Sequence, residues 1–391
     1  MEKTAHFGTR IVLLFVKPCH HSHRERIRGV YAAAIDRGWH VQQIDAEPTV
    51  EHLRNDIKMW NPIGCLFDPS VMTRNIDQRA LNLIPTVLMG PGEAQLPWER
   101  FDYSAQDFRS PVTAAISELT QLGLKHFAFL GDPEKPHWSV ERGQYFKENL
   151  PVYSTFSEYA GPNPNTVHGR KSVAKWLKSL PRPCGCFLAA DHMATPFYMA
   201  VYEAGLFIGT DFPTLGVDDD ERICLSLTPQ LSSVQLDFFK NGVNAVRLLE
   251  RRLSDISLPP QRITYGTLGV IRRASTSPVY RDRRATKGMT FVNTHGCERI
   301  TVDDVAKEMG VCRRLAEKLF RQHVGVSVLN AIRKVRIERA FTLLRNDSVP
   351  IDAIPFQCGY AASPAYLKTF FKRQTGLTMR QWREKIRQSE N

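Results

Sequence analysis

The apolar positions of residues 10–275 fall into short runs separated by longer segments with helical spacing. The short runs are Ile11–Val16, His40–Ile44, Ile63–Phe67, Thr86–Met89, His126–Leu130, Cys186–Ala190 and Thr214–Val217. Each is short and apolar enough to be a buried strand. Between them, Arg24–Arg37, Phe108–Leu122, Arg170–Leu180 and Thr195–Ala204 return to apolar residues once per helical turn. That is the spacing of a helix with one buried face. Gly123 and Gly205 follow two of these helices where a left-handed C-terminal cap belongs. A late helix is expected over Leu231–Leu253 and a last strand over Ile263–Ile271. Strands alternating with helices need right-handed crossovers, and so a parallel sheet. The stretch is long for one such sheet, so two similar lobes are expected.

At Arg272–Arg284 the pattern breaks into a polar, arginine-rich stretch that reads as a linker. Beyond it the spacing is purely helical. The expected division is an α/β sensor-like domain over residues 1–273, a linker over 274–285 and an all-α domain over 286–391.

The last domain holds a weak internal repeat. Phe320-x4-Gly325-Val326-Ser327 recurs as Phe371-x4-Gly376-Leu377-Thr378, an offset of 51 residues. Upstream of each copy stand a short helix, a glycine and a second helix. These are Val302–Met309, Gly310 and Cys312–His323, then Ile351–Cys358, Gly359 and Ser363–Gln374. A glycine that ends one helix and lets a second cross it is the helix-turn-helix arrangement, here present twice.

The second helix of each unit divides into faces. Leu315, Leu319 and Phe320 can face a core, leaving Arg313, Arg314, Lys318 and Arg321 outward. Tyr366, Leu367, Phe370 and Phe371 form the other apolar stripe, leaving Ser363, Pro364, Lys368 and Lys372 outward. Small or polar residues at a helix start can approach base edges in a major groove, and cations further along reach phosphates. Leu329–Leu344 reads as one amphipathic helix joining the units, with Arg333, Lys334, Arg336 and Arg339 on its polar face. It would set the recognition helices about 34 Å apart, one turn of DNA. A basic helix face is more often simply solvated; two units with a connecting helix carry more weight.

Charge strengthens the DNA reading. The whole chain carries +12, of which residues 286–391 hold 19 Lys and Arg against 10 Asp and Glu. A basic excess concentrated in the last quarter points to a polyanion, with nucleic acid ahead of a membrane surface. No apolar run approaches the length of a membrane span, and Met1–Gly8 lacks an export segment, so a cytoplasmic location is expected. The eight cysteines are scattered and expected to be reduced thiols; Cys184-x-Cys186 has no second ligand pair nearby.

Residues 299–383 resemble the AraC-type DNA-binding domain. The matching stretches are Thr301–Ala306, Leu319-Phe320-Arg321, Arg336–Ala340, Cys358-Gly359-Tyr360, Ser363–Tyr366, Phe370-Phe371-Lys372 and Trp382-Arg383. Pro355 departs from the pattern inside the first helix of the second unit, where it removes a donor and is expected to start that helix late or kink it. Met379 replaces a proline before the last helix.

The first 273 residues resemble the LacI-type sensor, a two-lobed periplasmic-binding-protein fold. The resemblance rests on Gly131, Glu141-Arg142-Gly143, Ala189–Ala194, Gly216–Asp220 and Leu231–Val234. The combination resembles regulators that answer to a pentose. It implies a sugar effector, D-xylose or a related pentose, that closes two lobes and repositions the DNA-binding domains. It also implies a homodimer, a double-stranded operator, and RNA polymerase as the partner of an activator of a carbohydrate-utilisation operon. By the family pattern Arg142, Asp191 and Asp218 are expected to contact the ligand, with Asp107, Arg24 and Trp138 as weaker candidates. The chemistry fits: ligands bind beyond the C-terminal ends of parallel strands, where Asp191 and Asp218 fall. Carboxylates accept from sugar hydroxyls, a guanidinium donates in a fork, and an indole stacks on a sugar face. The bland alternative for each is a strand-end cap or surface charge.

Other classes fare worse. G-x-G-x-x-G, G-x-x-x-x-G-K-[ST] and G-x-S-x-G are absent, so no catalytic residue, cofactor or enzyme activity is expected. His20-His21-Ser22-His23 invites a metal, but no nearby acid or thiol completes a set, and a polar lip on a ligand cleft is the preferred reading. Asp218-Asp219-Asp220 could hold a cation, but no phosphate loop accompanies it. A module responding to another small molecule, or one whose basic tail docks an acidic protein, remains the alternative.

Overall fold

The computed structural model describes residues 10–44, 49–69, 78–90, 100–276, 282–346 and 349–389. Met1–Gly8 and residues 277–281 of the expected linker lie outside that set.

The chain begins β1 (Arg10–Phe15), α1 (His21–Ile35), β2 (Trp39–Ile44), α2 (Val50–Trp60), β3 (Gly64–Phe67), α3 (Gln78–Leu81), β4 (Thr86–Gly90) and β5 (Asp102–Gln106). It continues α4 (Arg109–Thr120), β6 (His126–Leu130), α5 (His137–Asn149), β7 (Thr155–Glu158), α6 (Val167–Ser179), β8 (Cys184–Leu188), α7 (Ala194–Glu203) and β9 (Thr214–Val217). Then come α8 (Glu221–Cys224), β10 (Ser232–Leu236), α9 (Phe238–Ser254), β11 (Arg262–Tyr265) and β12 (Thr267–Ile271). The remainder is helical: α10 (Arg283–His295), α11 (Val302–Glu308), α12 (Arg313–Leu319), α13 (Val328–Arg345), α14 (Ile354–Gln357), α15 (Pro364–Thr375) and α16 (Met379–Ser389).

The strands form two six-stranded sheets, ordered β11-β5-β4-β3-β1-β2 and β12-β10-β9-β8-β6-β7. In the first, every pairing is parallel. In the second, only the edge strand β12 runs antiparallel, against β10. Helices cover the sheet faces, which is why the strands read as continuous apolar runs rather than alternating ones.

The first unit comprises residues up to Phe108, Pro136–Trp138 and Asp237–Gly266. Its α1 and α9 lie close because glycines remove the side chains between them. A Cβ on Gly29 would meet the Phe239 carbonyl at 2.0 Å, and one on Gly242 the Arg26 carbonyl at 2.1 Å. The second unit holds Arg109–Lys135, Ser139–Leu236 and Thr267 onward, so the second sheet and the helical region belong to one unit.

Two expected elements are corrected. Leu231–Leu253 is not one helix: Ser232–Leu236 is a strand in the second sheet, and α9 starts only after Asp237, whose side chain accepts the Lys240 amide at 2.9 Å. Ile263–Ile271 is not one strand: β11 joins the first sheet, β12 the second, and Gly266 separates them. Strands β5 and β7 were not expected.

In the helical region α13 serves two cores. Ala331 and Ile332 pack with Val305, Leu319 and Phe320 on one half. Ala340, Leu343 and Leu344 pack with Ile354, Leu367 and Phe371 on the other. A capping box between Thr301 and Asp304 starts α11. Pro355 sits in the first turn of α14, after a 3₁₀ turn at Ile351–Ala353, so the helix does start late and loses no interior bond.

Candidate effector site and nucleic-acid interface

Three consecutive aspartates leave the C-terminal end of β9, and each of their amides is held. Asp218 N donates to Val234 O at 2.9 Å, Asp219 N to Ser233 Oγ at 3.1 Å and Asp220 N to Asp191 Oδ2 at 2.8 Å. This network forces Asp218 to φ 111° and Asp219 to φ 55°. Two successive non-glycine residues at positive φ cost on the order of 1–3 kcal/mol each, and such outliers cluster at ligand clamps.

Beneath the turn lies Asp191, at the end of β8 and 1% exposed. Besides the Asp220 amide it accepts from Ser233 Oγ at 2.7 Å and Cys224 Sγ at 3.4 Å. Burial and the neighbouring Asp218 push its carboxyl well above the usual carboxylate range. A Cβ on Gly216 would meet Asp191 Oδ1 at 2.1 Å, so only glycine allows this carboxyl under β9. Arg142, on α5, is also buried and directs Nη1 to the carbonyl of Ala189, two residues before Asp191. The structure thus brings Asp191 and Asp218 together, while Arg142 engages the end of the same strand. Asp218 itself is half-buried.

Arg24, Asp107 and Trp138 fall in the first unit. Each is half-buried; Asp107 follows β5 and donates its amide to Tyr265 O at 2.8 Å. Sequence reasoning missed a buried ion pair of that unit. Arg26 on α1 donates Nη1 to Asp68 Oδ2 at the end of β3, beside a buried His23. The strand-end rule that selects Asp191 and Asp218 selects Asp68 equally well. His23 belongs to the histidine run noted above; its Nδ1 lies 3.4 Å from Cys19 Sγ. Among the described residues no three His, Cys, Asp or Glu side chains converge as a metal set.

In the helical region the repeat is realised in the backbone. Gly310 and Gly359 follow the first helices at φ 68° and 78°; Gly325 and Gly376 follow the second helices at φ 84° and 74°. In the first helix-turn-helix α12 passes into a wider π turn, Phe320–Val324, before Gly325. Arg313, Arg314, Lys318 and Arg321 are exposed, opposite buried Ala316, Leu319 and Phe320. Ser363 is the exposed N-cap of α15 and Pro364 its first residue, with Lys368 and Lys372 exposed opposite Leu367 and Phe371. Three of these cations have acidic neighbours: Arg313 with Asp303 at 3.0 Å, Lys368 with Asp352 at 2.6 Å and, more loosely, Arg321 with Glu317 at 3.9 Å. In each pair the cation is solvent-exposed, so the pairs are weak and exchangeable for phosphates. Arg336 is structural: it donates to Gly296 O at 2.6 Å and Glu298 O at 2.8 Å and lies over the Tyr360 ring.

Comparison with known proteins bears on the two domains. Residues 116–276 match the periplasmic binding protein-like domain and residues 305–385 a helix-turn-helix domain. The chain is therefore a DNA-binding transcription regulator that joins a periplasmic-binding-protein-like sensor to a double helix-turn-helix domain. It is similar to the xylose operon regulatory protein of Escherichia coli (strain K12), 28% identical over 92% of this chain and 93% of that one. The solved structure of the xylose-binding transcription activator xylR covers 97% of this chain and 98% of its own, at 25% identity and a TM-score of 0.60. A LacI family regulator from Enterococcus faecium with bound ribose shares the sensor fold, at 19% identity and a TM-score of 0.55 over 69% of this chain and all of its own. No helix among the described residues is long and apolar enough to cross a membrane.

Proposed function

We propose that this regulator answers to a pentose, D-xylose or a close relative, and controls a carbohydrate-utilisation operon as a cytoplasmic activator. The observation that carries the reading is the match along nearly the whole chain, both domains in the same order, to a regulator named for xylose. The 218–220 turn supports it: a strained turn of carboxylates at a strand end, its three amides held by hydrogen bonds, suits acceptance of sugar hydroxyls. In this reading Asp218 takes the sugar, and Asp191 and Arg142 set its position. Arg24, Asp107 and Trp138 are the first lobe's candidates. The sensor spans residues 1–273, a linker 274–285 and the DNA-binding domain 286–391. Arg313, Arg314, Lys318, Arg321, Ser363, Pro364, Lys368 and Lys372 face the operator, the working form is a homodimer, and RNA polymerase is the activator's partner.

The test is fluorescence anisotropy on labelled DNA from upstream of the protein's own operon, with and without a panel of pentoses and hexoses. A salt-sensitive, site-preferring affinity that one pentose shifts is the expected result. Specific binding indifferent to every sugar would overturn the sensor reading.

A further inference from the structure

Two consecutive arginines at the end of β12 join the effector turn to the DNA-binding domain. Arg273 is buried and donates Nη2 to Asp219 Oδ1 at 2.8 Å and Nη1 to Leu231 O at 2.9 Å. Burial opposes its charge, but Asp219, Cys224 and Asp191 together outweigh burial and the guanidinium holds its proton more firmly than usual. Arg272 points elsewhere. Its Nε lies 2.8 and 2.9 Å from the two oxygens of buried Glu118 on α4, and its Nη1 donates to Glu338 Oε2 on α13. Glu118 belongs to the sensor lobe; Glu338 belongs to the helix that spans both helix-turn-helix cores.

The same face of α13 covers the sheet edge. Arg345 Nη1 donates to Leu268 O of β12 at 3.1 Å, and a Cβ on Gly269 would meet Thr342 Oγ1 at 3.4 Å. Glu338, Thr342 and Arg345 stand at i, i+4 and i+7, one stripe of the helix. An edge strand would otherwise present open backbone groups; here the DNA-binding domain occupies it.

We propose that Arg272 and Arg273 transmit effector binding to the DNA-binding domain, Arg273 reading the 218–220 turn and Arg272 clamping α13 to the sensor through Glu118 and Glu338. The inference rests on the effector reading of Asp218. Two backbone neighbours and two ion pairs carry the link: Asp218 is joined along the chain to Asp219, Asp219 pairs with Arg273, Arg273 is joined along the chain to Arg272, and Arg272 pairs with Glu338. A sugar at Asp218 that shifts this turn shifts the pair that holds α13. A ligand moves an equilibrium only through a difference in affinity between two arrangements, and this chain of ion pairs supplies two ends whose strengths can differ.

The experiment measures the factor by which the active sugar changes operator affinity in the full-length protein, Arg272→Gln, Glu338→Gln and the double variant. Sugar affinity is read in the same samples by calorimetry. Expected is unchanged sugar affinity, a coupling factor reduced about threefold or more in each single variant, and no further loss in the double. An unchanged coupling factor in both single variants overturns the clamp and leaves the regulator reading standing. Equal weakening of operator binding with and without sugar also overturns it, since a static docking contact behaves that way. A parent whose operator affinity no sugar alters overturns the effector reading and the clamp with it.

Discussion

Ser233 Oγ lies 2.7 Å from Asp191 Oδ1 while taking the Asp219 amide at 3.1 Å, so one hydroxyl ties the buried carboxyl to the strained turn. Asp191 is thus a brace whose oxygens already meet three donors. Asp191→Ala strands those donors and is expected to destabilise the protein by about 2–4 kcal/mol. Asp191→Asn costs less, because the carboxyl is already held towards its neutral form and an amide has its shape. Urea unfolding of the two variants checks the order; equal losses would contradict it.

His23 gives the first lobe a pH dependence. Burial, then Arg26 and His20, push its imidazole down to about 4 against the pull of Asp68. The folded state therefore binds fewer protons than the unfolded chain. The contribution is fully present above about pH 6.5, the unfolded value, and is lost as pH falls towards 4. It amounts to roughly 3 kcal/mol. His23→Gln is expected to flatten the fall in unfolding free energy between pH 6.5 and 4 relative to the parent; parallel curves would refute the assignment.

Gly359 and Gly376 occupy matching places in the backbone but differ in their surroundings. A Cβ on Gly359 would lie 2.6 Å from the Cys297 carbonyl oxygen, whereas Gly376 has open space around it. Gly376→Ala pays only the backbone cost of its φ, about 1 kcal/mol. Gly359→Ala must also move the chain after α10 and is expected to lose about 2–4 kcal/mol. Thermal melts separate the two, and equal shifts would show that the Cys297 approach is relaxed.

Arg314 is exposed on α12 and directed away from the core. Arg314→Ala is expected to weaken operator binding and, if it meets a phosphate, to reduce the slope of log affinity against log salt by about 0.9. Sugar affinity should not change. A variant with the parent's operator affinity at every salt concentration would remove Arg314 from the interface.

The proposed pentose site makes the Asp218→Asn variant informative. Asparagine tolerates positive φ, so the turn survives while one acceptor becomes a donor. Calorimetry is expected to show sugar affinity reduced about tenfold or more, with sugar-free operator binding intact. Retained sugar affinity would move the site away from this turn.

Much of the fold is legible in order because periodicity is a local property. Most of the parallel strands, the capped helices and the glycines at the paired helix ends declare themselves in runs of four to fifteen residues. So does the helix-turn-helix repeat, since Phe320 and Phe371 must be core and Gly325 and Gly376 must turn. Where Leu231–Leu253 and Ile263–Ile271 misled, the cause is equally local. An apolar strand running into a helix looks like one longer helix, and only Asp237 marks the change; a single Gly266 marks the other.

Asp191 and Asp218 could be placed at strand ends from the sequence, but not distinguished. Which one is sealed beneath Gly216 and which stands half open depends on residues far from Asp191 in the chain, Cys224 at 33 positions and Ser233 at 42 among them. The arginine-rich segment is the sharpest case. By composition Arg272 and Arg273 belong to a solvated linker, yet they meet Glu118, Glu338 and Asp219. The order of apolar and polar residues determined the elements and the class of partner, because those follow from periodicity and net charge along the chain. Only the tertiary structure decided which charges are buried, because burying a charge needs an opposite one delivered from elsewhere in the fold.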